Sequence, residues 1–148
     1  MIVVDASVLV RGLRSRNGAS HLVVRALLTG TVAFAASPAV VLEYEDVLKR
    51  PGQLGPDPWI TPAELDVILD ALCARAIPAL PRFRFRPFLA DPKDDLYIDC
   101  ALAAGAETIV TQDRRFRHPA VAAFGLAAIG AAAFVAANPA VKIKNERS

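Results

Sequence analysis

A chain of 148 residues with 54% hydrophobic and 22% charged content has the size of a single domain with a buried core, which excludes a disordered chain. Its 17 basic and 15 acidic residues leave a formal charge of +2, so bulk charge alone does not mark a nucleic-acid binder. Arginines nevertheless cluster, as Arg11, Arg14 and Arg16, as Arg82, Arg84 and Arg86, and as Arg114, Arg115 and Arg117. Such groups either rim an acidic pocket with phosphate contacts or solvate a surface.

Ile2 to Val4 opens the chain as an apolar strand, with no targeting peptide expected ahead of it. Asp5 follows. A basic loop, Arg11 to Asn17, is expected to lead through Ser20 as a cap into a helix near His21 to Leu28, stopped by Gly30. A second strand spans Val32 to Ala35. Ser37-Pro38 suits an N-cap and first helical position, and the helix after it carries Val41, Leu42, Tyr44, Val47 and Leu48 with Glu43 in its early turns.

After a proline- and glycine-rich connection from Pro51 to Ile60, Thr61-Pro62-Ala63-Glu64 predicts a capping box. The helix it starts has Leu65, Ile68, Leu69 and Leu72 at helical spacing and ends near Ala76. Ile77 to Leu89 alternates phenylalanine with arginine but holds too many prolines for a regular strand. Asp91-Pro92-Lys93-Asp94-Asp95 opens a helix over Leu96 to Ala104, ended by Gly105, and a strand from Thr108 to Thr111 delivers Asp113. The apolar run from Ala120 to Ala137 reaches the length of a membrane span, but Gly125 and Gly130 divide it. It reads as a strand at Leu126 to Ile129, a turn and a buried terminal helix, with no membrane span. Cys73 and Cys100, without CxxC spacing, are expected to be small buried hydrophobes in a reducing, cytoplasmic setting.

Alternating strand and helix patterns favour one α/β domain over residues 1–148, with a parallel sheet flanked by helices. In such sheets ligands bind beyond the carboxyl ends of the strands. Asp5, Glu43, Asp94 or Asp95, and Asp113 all fall at that end. Carboxylates gathered there are costly to bury unless something positive sits among them, and a divalent cation with oxygen ligands serves. No His or Cys cluster offers a zinc site, so Mg2+ or Mn2+ is the expected ion. His21 and His118 are isolated. Each acid also has an ordinary role open to it, as a turn residue, a helix cap or a solvated helix position. No GxSxG elbow, Walker loop, HExxH or dinucleotide fingerprint is present. Ser7, two residues after Asp5, supplies a hydroxyl that can support a metal ligand. Arg11, Arg14 and Arg114 or Arg115 border Asp5 and Asp113 and are the expected phosphate contacts.

The stretches VVDASVLVRGL, SPAVVLEYEDVLKRP and DPKDDLYIDCALAAGAETIVTQDRRF, together with the closing strand and helix, resemble the PIN domain in order and spacing. The likeness is to the PIN-family ribonuclease toxins of bacterial toxin–antitoxin systems in particular. It implies a three-layer α/β/α sandwich with a central, mostly parallel sheet. It also implies an endoribonuclease dependent on Mg2+ or Mn2+, with Asp5, Glu43, Asp94 and Asp113 as the catalytic acids. Asp95 is the alternative third ligand, and Asp99 stands where a further acid approaches the metal. Ser7 and Thr111, the latter within the pattern Thr111, Asp113, Phe116, join the arginines on the substrate side. An RNA substrate, a cognate antitoxin and a homodimer or higher oligomer are the implied partners. The alternative is a degenerate PIN module that binds RNA or protein without cutting.

Overall fold

A computed structural model describes residues 1–82 and 92–142, leaving aside the side chains of residues 92–94. The expected arginine–phenylalanine alternation after Arg82, with Arg84 and Arg86, lies outside the described residues.

Strand β1 (Ile2–Val4) pairs in parallel with β4 (Thr108–Val110), which pairs in parallel with β5 (Ala127–Ile129); Val4 faces Val110, and Val110 faces Ile129. A second parallel pair, β2 (Ala35–Ala36) and β3 (Ile77–Pro78), is brought alongside β1 by a bridge between Ile2 and Phe34. Every pairing among the described residues is parallel, so the strand ends emerge along one edge. Val3, Val4, Ile109 and Val110 are fully buried, as strands covered on both faces require.

The covering comes from helices. α1 (Ala6–Arg14) packs against α2 (Ala19–Thr29) and α3 (Pro38–Leu48), and α2 packs against α4 (Pro62–Arg75). α5 (Pro92–Ala104) crosses β1, β2 and β4. The short α6 (Pro119–Ala123) precedes β5, and α7 (Ala131–Ala137) rests on α2. The result is an α/β sandwich around a parallel sheet, as the sequence pattern predicts. Leu9, Leu27, Phe34, Leu72, Tyr97, Ile98 and Phe116 fill the interior.

Local signals explain most boundaries. The Ser37 hydroxyl accepts from the Val40 amide at 3.2 Å, with Pro38 beginning the helix. Thr61 and Glu64 complete the capping box with two 3.1 Å bonds. α1 and α2 cross closely at Gly12, where a Cβ would lie 2.7 Å from both the Ser20 carbonyl oxygen and Val24 Cγ2.

Four expectations are corrected. The supposed basic loop is largely the end of α1: Ala6, Val8, Leu9, Gly12 and Leu13 form its buried face, and Arg11 and Arg14 sit in its last turn. Gly18, not Ser20, precedes α2; Ser20 is inside the helix, and its buried hydroxyl has no partner among the described residues. The second strand is shorter and later than Val32 to Ala35. Cys73 is exposed, because Leu65, Leu69 and Leu72 already form the buried face of α4. Among the described residues, no helix is long and apolar enough to cross a membrane.

Candidate active site

Asp5 stands at the N-cap position of α1, yet its carboxylate makes no capping bond. One oxygen instead receives two hydroxyls: Ser7 donates to Oδ2 at 2.6 Å, and Thr111 donates to the same atom at 2.7 Å. Oδ1 has no partner among the described residues. Asp5 is only 6% exposed, so a buried carboxylate is held by neutral donors alone on one side.

Both hydroxyls also accept. The Gln112 amide donates to Ser7 Oγ at 3.1 Å, and the Asp113 amide donates to Thr111 Oγ1 at 3.0 Å. With the Asp5 amide on the Val110 carbonyl at 2.9 Å, these bonds stitch the end of β1 to the end of β4. Two tyrosines fix the backbone on either side of Asp5. The Tyr44 hydroxyl donates to the Val4 carbonyl, and the Tyr97 hydroxyl accepts from the Ala6 amide at 3.2 Å. Burial pushes both phenols far above their ordinary range, with the Asp5 charge adding to the effect, so both stay protonated.

Asp113 is differently placed. Arg115 Nε lies 3.1 Å from its Oδ1 and 2.9 Å from its Oδ2, and the Arg115 amide also donates to Oδ1 at 2.9 Å. These bonds, led by the guanidinium, hold the Asp113 carboxyl below its usual range, with partial burial opposing them.

A cleft of about 790 Å3 opens over these groups, lined by Asp5, Glu43 and Asp113 together with Ser7, Arg11, Arg14, Arg115, Tyr97 and Gln112. Arg50 and Gln53, both from the connection after α3, add to the wall. Thus three of the expected acids, Ser7 and three of the expected arginines share one surface. Thr111 lies just beneath it, buried and bonded to Asp5. Arg114 is exposed and does not line the cleft. Asp95 and Asp99, 1% and 5% exposed on α5, do not line it either. The Asp94 side chain lies outside the described residues.

Tyr97, Arg50, Gln53 and Gln112 are the members that sequence reasoning missed. Tyr97 is a buried aromatic of α5, which no sequence motif marks. Gln112 sits between two residues that were marked. Nothing in the spacing of Arg50 or Gln53 distinguishes them.

The donor set suits a hard divalent cation, since the open oxygen of Asp5 and the carboxylates of Glu43 and Asp113 all face one cleft. Among the described residues, no three His, Cys, Asp or Glu side chains form a ready-made cage. Arg115 is the cation at Asp113 in this arrangement.

A family model described as PIN domain matches residues 1–115, which include every cleft residue and end at Arg115. Comparison with curated proteins and with solved structures returned no match.

Proposed function

The chain belongs to the PIN-domain family, and from that premise we propose that it is a metal-dependent endoribonuclease and the toxin of a cytoplasmic toxin–antitoxin pair. Family membership supports nuclease chemistry in general; the arrangement of this cleft supports dependence on a metal. The observation that carries most weight is that Asp5 and Asp113, from the ends of β1 and β4, are joined through Thr111 and share a cleft with Glu43.

Asp5, Glu43 and Asp113 would hold Mg2+ or Mn2+, with Asp94 as the candidate fourth acid, since Asp95 is buried away from the cleft. A bound ion of this kind supplies charge neutralisation at the scissile phosphate and makes water a better nucleophile at neutral pH. The chain's own share is orientation. Ser7 and Thr111 fix the Asp5 carboxylate through Oδ2, and the two neutral tyrosines lock the backbone that carries it. Arg11 and Arg14 place the strand by its phosphates and read no base. The toxin assignment brings a cognate antitoxin with it and rests on the family likeness alone.

The test is cleavage of RNA by purified protein with Mn2+ or with chelator, beside Asp5→Asn and Asp113→Asn variants. Loss of about 100-fold or more in each variant is expected if the ion's stabilisation of several kcal/mol depends on them. Cutting that survives the chelator, or variants as active as the parent, overturns the reading. The grip of Arg115 on Asp113 favours a second reading, a module that binds RNA without cutting, and the same assay separates the two.

A further inference from the structure

The loop between α3 and α4 carries the only tryptophan of the chain, and Trp59 keeps 38% of its surface in solvent. The ring is held in place from the far side of the α1–α2 turn. The Arg16 guanidinium lies 5.0 Å from its centroid, and the His21 ring packs edge-on at 6.1 Å. His21 is anchored in turn, with Nδ1 2.9 Å from the Gly12 carbonyl oxygen. A part-exposed aromatic ring braced by a cation and a second ring is a binding feature more than a packing one.

Its chain neighbours connect it to the acidic cleft. Arg14 and Ser15, immediately before Arg16, line that cleft, and so does Gln53 from the loop that holds Trp59. Arg14 Nη2 comes within 3.9 Å of where a Cβ on Gly55 would lie, so α1 and this loop meet at the mouth. Arg11 and Arg14 are three residues apart on one helix, about 4.5 Å along its axis, and point the same way. They lead from Ser7 toward Arg16.

We propose that Arg16 and Trp59 form a stacking step that takes one unpaired base of the substrate strand as it leaves the cleft. The identity of the polymer rests on the nuclease reading above; the step itself rests on the ring and its surroundings. Every base offers a π face, so such a step tolerates any sequence. Bases within a duplex are already stacked on their neighbours, so the step selects single strands, loops and ends. An exposed tryptophan beside an arginine also suits a protein hot spot. Continuity with the arginines of the cleft favours nucleic acid.

Because Trp59 is alone, its fluorescence reports the step directly. The protein is titrated in chelator, where no strand is cut, with a single-stranded RNA 12-mer, with the same RNA as a duplex, and with an abasic strand of equal charge. The single strand should change the emission at concentrations where the abasic strand does not. Trp59→Ala should weaken single-strand binding by about 5- to 100-fold. Trp59→Phe, which keeps a ring, should retain most of it. Equal responses to the abasic strand, or a Trp59→Ala protein that binds as tightly as the parent, overturns the step and leaves the ring for a protein partner. Cleavage with Mn2+ is followed in parallel. Cutting without a Trp59 response rejects the step and spares the nuclease, whereas a response without cutting does the reverse.

Discussion

Arg115 bonds both carboxylate oxygens of Asp113, two residues away, with Nε at 3.1 Å and 2.9 Å. The pair lowers the Asp113 titration below its ordinary 3.8. A depressed carboxyl stabilises the folded chain fully above its ordinary value, and that contribution fades as pH falls through the lowered one. Arg115→Gln should therefore raise the Asp113 titration back toward the ordinary carboxyl range, followed by NMR of its side-chain carboxyl carbon. An unchanged titration would show that the pair does not form in solution. The same variant should bind Mn2+ more tightly by calorimetry, since Arg115 and a metal compete for the same oxygens.

Thr111 donates to Asp5 and accepts from the Asp113 amide, so its hydroxyl links the two acids. Thr111→Val keeps the shape but strands the Asp113 amide and leaves Asp5 Oδ2 to Ser7 alone, and should cost about 1–3 kcal/mol in urea unfolding. Thr111→Ser should recover most of that. A valine variant as stable as the parent would remove the link from the account.

Gly12→Ala tests the crossing of α1 and α2. In an open helix interior this change stabilises by about 1 kcal/mol. Here the added Cβ meets a carbonyl oxygen and a valine methyl at 2.7 Å, so a loss of about 1–3 kcal/mol is expected instead. The sign of the change in a thermal melt decides the matter.

Arg11→Ala and Arg14→Ala should each flatten the dependence of single-strand RNA affinity on salt. For each phosphate contact removed, the slope of log affinity against log salt should fall by about 0.7, measured by anisotropy in chelator. Arg114→Ala serves as the comparison, because Arg114 does not line the cleft. If Arg114→Ala flattens the slope and the other two do not, the strand runs elsewhere.

The sequence revealed what short-range chemistry controls. Thr61 and Glu64, and Ser37 with Pro38, announce their helices because a cap is satisfied within four residues. Apolar runs at Ile2 and Thr108 announce strands because both faces are buried. Asp5, Glu43 and Asp113 could be proposed together because parallel strands all end at one edge. The first helix escaped notice because Gly12 and the arginines around it look like a loop; only the close pass of α2 explains the glycine. Trp59 and Arg50 owe their meaning to neighbours folded in from other elements, and no local pattern carries that.

The parallel register of β1 and β4 has a consequence for how the protein is made. Asp5 leaves the ribosome early, and its companion Asp113 is added 108 positions later, by the numbering, so a half-synthesised chain holds an incomplete set of acids. Until β4 has been laid beside β1, no cleft unites them. A chain that stops short of β4 would therefore hold Asp5 and Glu43 but never assemble the cleft.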